Sequence, residues 1–178
     1  MQHDISDGVR WLIESGVADP ERICIYGGSY GGYATLSGLI KTPELYRCGA
    51  SLSGVTDLRG LLADRSFYLN YDVFEKRIGR KRADRQQLEA VSPVQSPERI
   101  RAPVLLAHGV EDRVVRASQS RDMARALEEA GRPHHLLLLE GQPHGFVDPA
   151  ARIRFYRNLE AFFYRHLSSP PMPDVAHD

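Results

Sequence analysis

Four short runs of apolar and β-branched residues, at 22–26, 48–53, 104–107 and 135–139, alternate with stretches whose apolar residues recur at helical spacing. Strands joined by helical crossovers return parallel to one another, so this alternation predicts an α/β fold with a mostly parallel sheet covered by helices on both faces. The run Val104-Leu105-Leu106-Ala107, bounded by Pro103 and Gly109, suits a strand buried on both faces. An opening helix is expected from Ile5, Val9, Leu12 and Ile13, with Asp4, Asp7, Arg10 and Glu14 opposite, ending near Gly16. A second runs from Tyr30 to about Lys41 and stops before Pro43. Residues 56–99 read as mostly helical and charged. Their Arg77, Arg80, Lys81, Arg82 and Arg85 form either a basic patch or a solvated face shared with Glu75, Asp84 and Glu89. Met123, Ala126, Leu127 and Ala130 give a helix over 118–130 closed by Gly131, and Ile153, Tyr156, Leu159 and Phe163 mark the inward stripe of a last one.

At 178 residues the chain is expected to form one domain over 1–168, with 169–178 as a flexible C-terminal tail. Lys and Arg total 23 against 23 Asp and Glu. That balance leaves no excess positive charge for a nucleic-acid backbone or an anionic membrane. The apolar runs fall far short of the roughly 18 residues a membrane helix needs. Charges scattered through the first thirty residues interrupt any signal-peptide core, so a cytoplasmic chain is expected. The two cysteines, Cys24 and Cys48, are too few for a disulfide framework and are expected to be free, buried and apolar in behaviour. Neither metal nor organic cofactor is expected.

The first strand runs into Gly27-Gly28-Ser29-Tyr30-Gly31, a G-x-S-x-G sequence between a strand and a helix. In that setting the serine sits on a sharp turn that lifts its Oγ above the sheet, and the flanking glycines answer a close approach of helix and strand. A phosphate-binding loop would need a lysine that this segment lacks. A serine hydroxyl needs a base, and the base needs a third group to fix its tautomer. Asp112 follows the 104–107 strand and His144 follows the 135–139 strand, giving the α/β-hydrolase order Ser, Asp, His at the carboxyl ends of three strands. Glu111 is a rival acid, set aside because Val114-Val115 suggests a loop turning back to the next helix. His108 is expected to hydrogen-bond within the acid turn. Asp148, followed by Pro149, is expected to cap the last helix.

Gly27 to Tyr33 resembles the nucleophile motif of the prolyl oligopeptidase family of serine peptidases, especially its acylaminoacyl-peptidase and dipeptidyl-peptidase branches. Asp19-Pro20-Glu21-Arg22-Ile23, Ser92-Pro93, Pro103 to Gly109 with Asp112, and Gly141 to Phe146 resemble the same family. The resemblance runs from the first helix to about Leu167. It implies an α/β-hydrolase fold with Ser29 as nucleophile, Asp112 as orienting acid and His144 as general base. It further implies hydrolysis of a peptide or small acyl substrate through an acyl-enzyme. The backbone N–H of Tyr30 would be one oxyanion donor; a tyrosine from an upstream segment commonly supplies another. Tyr30 and residues after the 48–53 strand would line the acyl pocket, with Thr56, Phe67, Tyr68 and Tyr71 as candidates, or else as an aromatic cluster packed on the sheet. The family also implies four further strands, and usually a β-propeller, before the nucleophile strand. Without them the sheet edge would be covered by an upstream segment or a second copy. A carboxylesterase and an inactive fragment acting by association are the alternatives.

Overall fold

The alternation of runs becomes a sheet in the computed structural model, which describes residues 2–65 and 71–168. Strands β1 (Cys24–Gly28), β2 (Cys48–Leu52), β3 (Val104–Gly109) and β4 (His134–Leu139) pair in parallel in the order of the sequence. Helices α1 (Gln2–Glu14), α2 (Tyr30–Lys41), α3 (Leu58–Arg65), α4 (Tyr71–Ile78), α5 (Arg85–Ala90), α6 (Ser118–Glu129) and α7 (Pro149–Leu167) surround it. Within the stretch expected to be mostly helical lie α3, α4 and α5, with residues 79–84 between α4 and α5 outside any helix, followed by two 3-10 turns that begin at Pro93 and Pro97. There Arg80 pairs with Asp84 at 3.4 Å and Arg85 with Glu89 at 3.0 Å, so these cations sit among carboxylates on the surface.

Alternation along β3 separates two cores. Val104 and Leu106 pack with Leu36 and Leu39 of α2 and with Met123 and Leu127 of α6. Leu105 and Ala107 face the other way, against Leu137 and Leu139 of β4 and Phe155 and Leu159 of α7. All six β3 residues are buried, as a central parallel strand covered on both sides must be. Each large side chain so buried contributes roughly 1.5–3 kcal/mol relative to exposure. Among the described residues no helix is long and apolar enough to cross a membrane.

Three expectations change. β1 was expected to stop at the glycines, but Gly27 and Gly28 stay in register with Ser51 and Leu52. The stripe expected inward on α7 is split: Leu159 is buried, whereas Ile153 and Tyr156 are more than half exposed. Phe155 takes the inward position, because α7 lies over β2 and β3, where that ring packs with Ala50 and Leu105 and stands 6.2 Å from the ring of Tyr26, itself still 42% exposed. Beside β1, a groove of about 850 Å³ runs along α7 between Arg22, Ile153, Tyr156, Phe163 and Tyr164. The cysteines are not free. Cys48 is buried, but it is bonded to the half-buried Cys24 in a disulfide with Cα atoms 4.7 Å apart. The parallel register places the two directly opposite, a neighbourhood that a separation of 24 residues through α2 conceals.

Candidate active site

The turn from β1 into α2 is strained at one residue. Ser29 has φ 56° and ψ −118°, outside the regions that L-residues favour, at a typical cost of about 1–3 kcal/mol. Hydrogen bonds on both sides hold it. Its amide donates to Leu52 O at 2.8 Å, and its carbonyl accepts from the amides of Gly32 and Tyr33 at 3.0 and 3.2 Å. A Cβ on Gly27 would stand 2.4 Å from the Gly31 carbonyl oxygen, and one on Gly32 would stand 2.7 Å from Gly54 Cα. The close approach expected at both ends of the motif therefore falls on Gly27 and Gly32; a Cβ on Gly31 would meet nothing within 4 Å.

Asp112 lies in a tight turn off β3, its amide donating to Gly109 O at 3.2 Å. Its buried carboxylate gathers four donors. The Val114 and Val115 amides reach Oδ1 at 2.8 and 2.9 Å, while His144 Nδ1 and His108 Nε2 reach Oδ2 at 2.7 and 3.1 Å. Burial pushes the carboxyl up, but the bonds from His108, His144, Val115 and Val114 outweigh it and hold Asp112 down at about 2, against an ordinary 3.8. An ionised Asp112 accepts only, so His144 carries its proton on Nδ1 and Nε2 is left with the free lone pair.

His144 reaches Asp112 because the loop after β4 folds back over the end of β3. A Cβ at Gly109 would stand 2.3 Å from Gln142 O and 2.4 Å from Pro143 O, so only glycine lets this loop lie there. The Glu111 amide donates to Gln142 O at 2.9 Å, and the buried Gln142 accepts from the Asp148 amide at 3.1 Å through Oε1. His144 itself keeps about a quarter of its side chain exposed at 26%, open to a substrate. The Ser29 hydroxyl makes no hydrogen bond to His144 among the described residues; such contacts often tighten only in the substrate complex.

The other expected residues fall as follows. Glu111 is exposed, whereas the neighbouring Asp112 is buried. Asp148 caps α7, its Oδ2 accepting from the Ala151 amide at 2.9 Å. Tyr30 is half exposed, its ring 5.9 Å from that of Tyr33. Thr56 is buried and engaged: its amide and Asp57's each donate to Gln119 Oε1 at 2.7 Å, and its hydroxyl donates to Gln119 O at 2.8 Å. It fastens the loop after β2 to α6 and offers no free surface to a substrate. Tyr71 opens α4 with its hydroxyl donating to Glu75 at 2.9 Å; Phe67 and Tyr68 lie outside the described residues. Sequence reasoning passed over Gln119 and Ser120, both buried. Their spacing of four from Met123 and Ala124 on the inward face of α6 was the available signal. No group of three or more His, Cys, Asp or Glu among the described residues is gathered for a metal ion.

Parallel strands in sequence order, with an elbow serine after β1, an acid after β3 and a histidine after β4, define the core of an α/β-hydrolase. The model of the prolyl oligopeptidase family matches residues 1–170. The chain belongs to that family. It is 32% identical over 177 residues to dipeptidyl aminopeptidase BIII of Pseudoxanthomonas mexicana, covering 97% of this chain and 26% of that protein. With the acylamino-acid-releasing enzyme of Arabidopsis thaliana it shares 26% identity over 180 residues, 92% of this chain and 22% of the relative. A puromycin-hydrolyzing peptidase of Mycobacterium tuberculosis superposes with a TM-score of 0.84 at 30% identity, over 93% of this chain and 25% of that one. The acylaminoacyl peptidase of Pyrococcus horikoshii gives 0.84 at 26% identity, over 99% and 29%. The chain thus spans about a quarter of the length of these relatives.

Proposed function

We propose that this chain carries the catalytic triad of a serine peptidase that cleaves peptide or acyl-aminoacyl bonds through an acyl-enzyme. The observation that carries the reading is the 2.7 Å bond from His144 Nδ1 to a buried, ionised Asp112, on the same rim of the sheet as the strained Ser29 turn. In this reading His144 Nε2 takes the proton of Ser29 Oγ as the oxygen attacks the scissile carbonyl carbon. Asp112 stabilises the imidazolium without taking its proton. The backbone N–H of Tyr30 donates to the oxyanion. His144 then protonates the leaving amine, and a water activated by the same Nε2 releases the acyl group. Relatives named as dipeptidyl aminopeptidase and acylamino-acid-releasing enzyme support an amide-bond substrate.

The test compares aminoacyl-anilide with short acyl-ester hydrolysis by the full-length protein. The reading predicts turnover of both, lost in Ser29→Ala. Esters cleaved with anilides untouched would favour a carboxylesterase, and silence on both an inactive triad.

The free edge of β1 and the groove along α7 are proposed to be covered by further chain of the same polypeptide, since the relatives are about four times as long. The Cys24–Cys48 bond favours an oxidising compartment over the cytoplasm that the charge pattern suggested.

A further inference from the structure

His108 stands one residue before the end of β3 with its side chain fully buried. Nε2 lies 3.1 Å from Asp112 Oδ2 and 2.9 Å from the Val115 carbonyl oxygen. Both are acceptors, so Nε2 carries the hydrogen and divides it between them. Nδ1 lies 2.7 Å from Ser120 Oγ and accepts that hydroxyl's hydrogen. A directed chain results, from Ser120 O–H to His108 Nδ1, and from His108 Nε2–H to Asp112 Oδ2, the same oxygen that His144 holds.

We propose that His108 is a positioning residue for the acid–base pair: its Nε2–H fixes the rotation of the Asp112 carboxylate, so that Oδ2 stays where His144 Nδ1 must find it. The Val114 and Val115 amides donate to Oδ1 alone. The carboxylate is planar, so those two bonds restrain Oδ2 as well, but only within the breadth that two hydrogen bonds to one oxygen allow; the donor from His108 acts on Oδ2 itself and narrows that breadth. The same ring ties β3 to α6 through Ser120, so a purely structural role has to be separated from a positioning one.

The inference rests on the triad reading, and two amide substitutions divide the roles of the ring. The amide of Gln reaches where His Nε2 stands and can donate to Asp112 but not meet Ser120; the shorter Asn reaches where Nδ1 stands and does the reverse. In the full-length protein, His108→Asn is expected to lower kcat by about 10–100-fold, by analogy with the loss of a hydrogen-bond partner that orients a metal-bound histidine, with KM within about twofold. His108→Gln recovers most of that loss, to within about fivefold of wild type by the same scale. Thermal melts of both variants track the structural tie. Equal kcat losses in the two variants, or a larger loss in His108→Gln, would overturn the proposal. So would a kcat in His108→Asn that matches wild type while Asp112→Asn and His144→Gln are inactive. Activity retained in Asp112→Asn and His144→Gln would instead sink the triad beneath it.

Discussion

At Asp112 four donors converge on one carboxylate, and this sets both its chemistry and its acid sensitivity. Its folded carboxyl titrates at about 2 and its ordinary value is 3.8, so ionised Asp112 stabilises the fold above about pH 4 and that contribution disappears as pH falls through 2. Asp112→Asn cannot ionise, and its stability is expected to change less between pH 4 and pH 2 than that of wild type, in denaturant titrations at each pH. The same variant should lose on the order of 10³–10⁴ in kcat, because an amide can turn its N–H toward His144 and impose the wrong tautomer. That Asp112 and His144 meet was legible in the sequence, since both follow parallel strands and so come to the same rim of the sheet. The sharing of Oδ2 between two histidines was not, since nothing in a spacing of four residues says which oxygen His108 meets. Thr56 was legible only as a residue after β2; its burial under Gln119 depends on how α6 packs, 63 residues later.

Elements place these residues, and the glycine at the end of β3 has backbone oxygens where a side chain would begin. Gly109→Ala would force the backbone of residues 142 and 143 off the strand end, carrying His144 with it. The expected result is a fall in kcat together with a destabilisation of about 1–3 kcal/mol, the usual range for overpacking, measured by turnover and by urea unfolding. An alanine enzyme with wild-type turnover would mean the loop does not position the histidine. The disulfide between β1 and β2 closes a loop of 24 residues and should contribute ~3 kcal/mol in the chain-entropy account. Adding a reductant, or changing both cysteines to serine, is expected to lower Tm accordingly; an unchanged Tm would show that the strands need no such tie. The strands and long helices were legible from period and punctuation. What escaped was set by neighbours: β1 runs on because β2 pairs with its glycines, and the cysteines meet because the register sets them opposite.

The whole molecule is covered unevenly. The α1, α2 and α6 side shares one continuous core with the sheet, whereas on the other side Tyr26 of β1 and Ile153, Tyr156 and Tyr164 of α7 stay exposed, with β1 at the edge of the sheet among the described residues. Exposed apolar surface beside an unpaired strand edge promotes association. Residues 1–178 expressed alone are expected to show concentration-dependent association by sedimentation, relieved by Tyr156→Glu; a monodisperse chain at all concentrations would mean the edge needs no cover. The family was legible because its motifs sit at strand ends, where backbone geometry restricts the choice of residue. The open groove was not, since a stripe of apolar residues reads the same whether its partner is in the chain or beyond it. The central claim is that Ser29 is a nucleophile activated by His144 and Asp112. It is tested most directly by treating the full-length protein with a fluorophosphonate and locating the adduct by mass spectrometry. The account predicts modification at Ser29, abolished in Ser29→Ala and strongly slowed in His144→Gln; no adduct at Ser29, or one indifferent to His144, would contradict it.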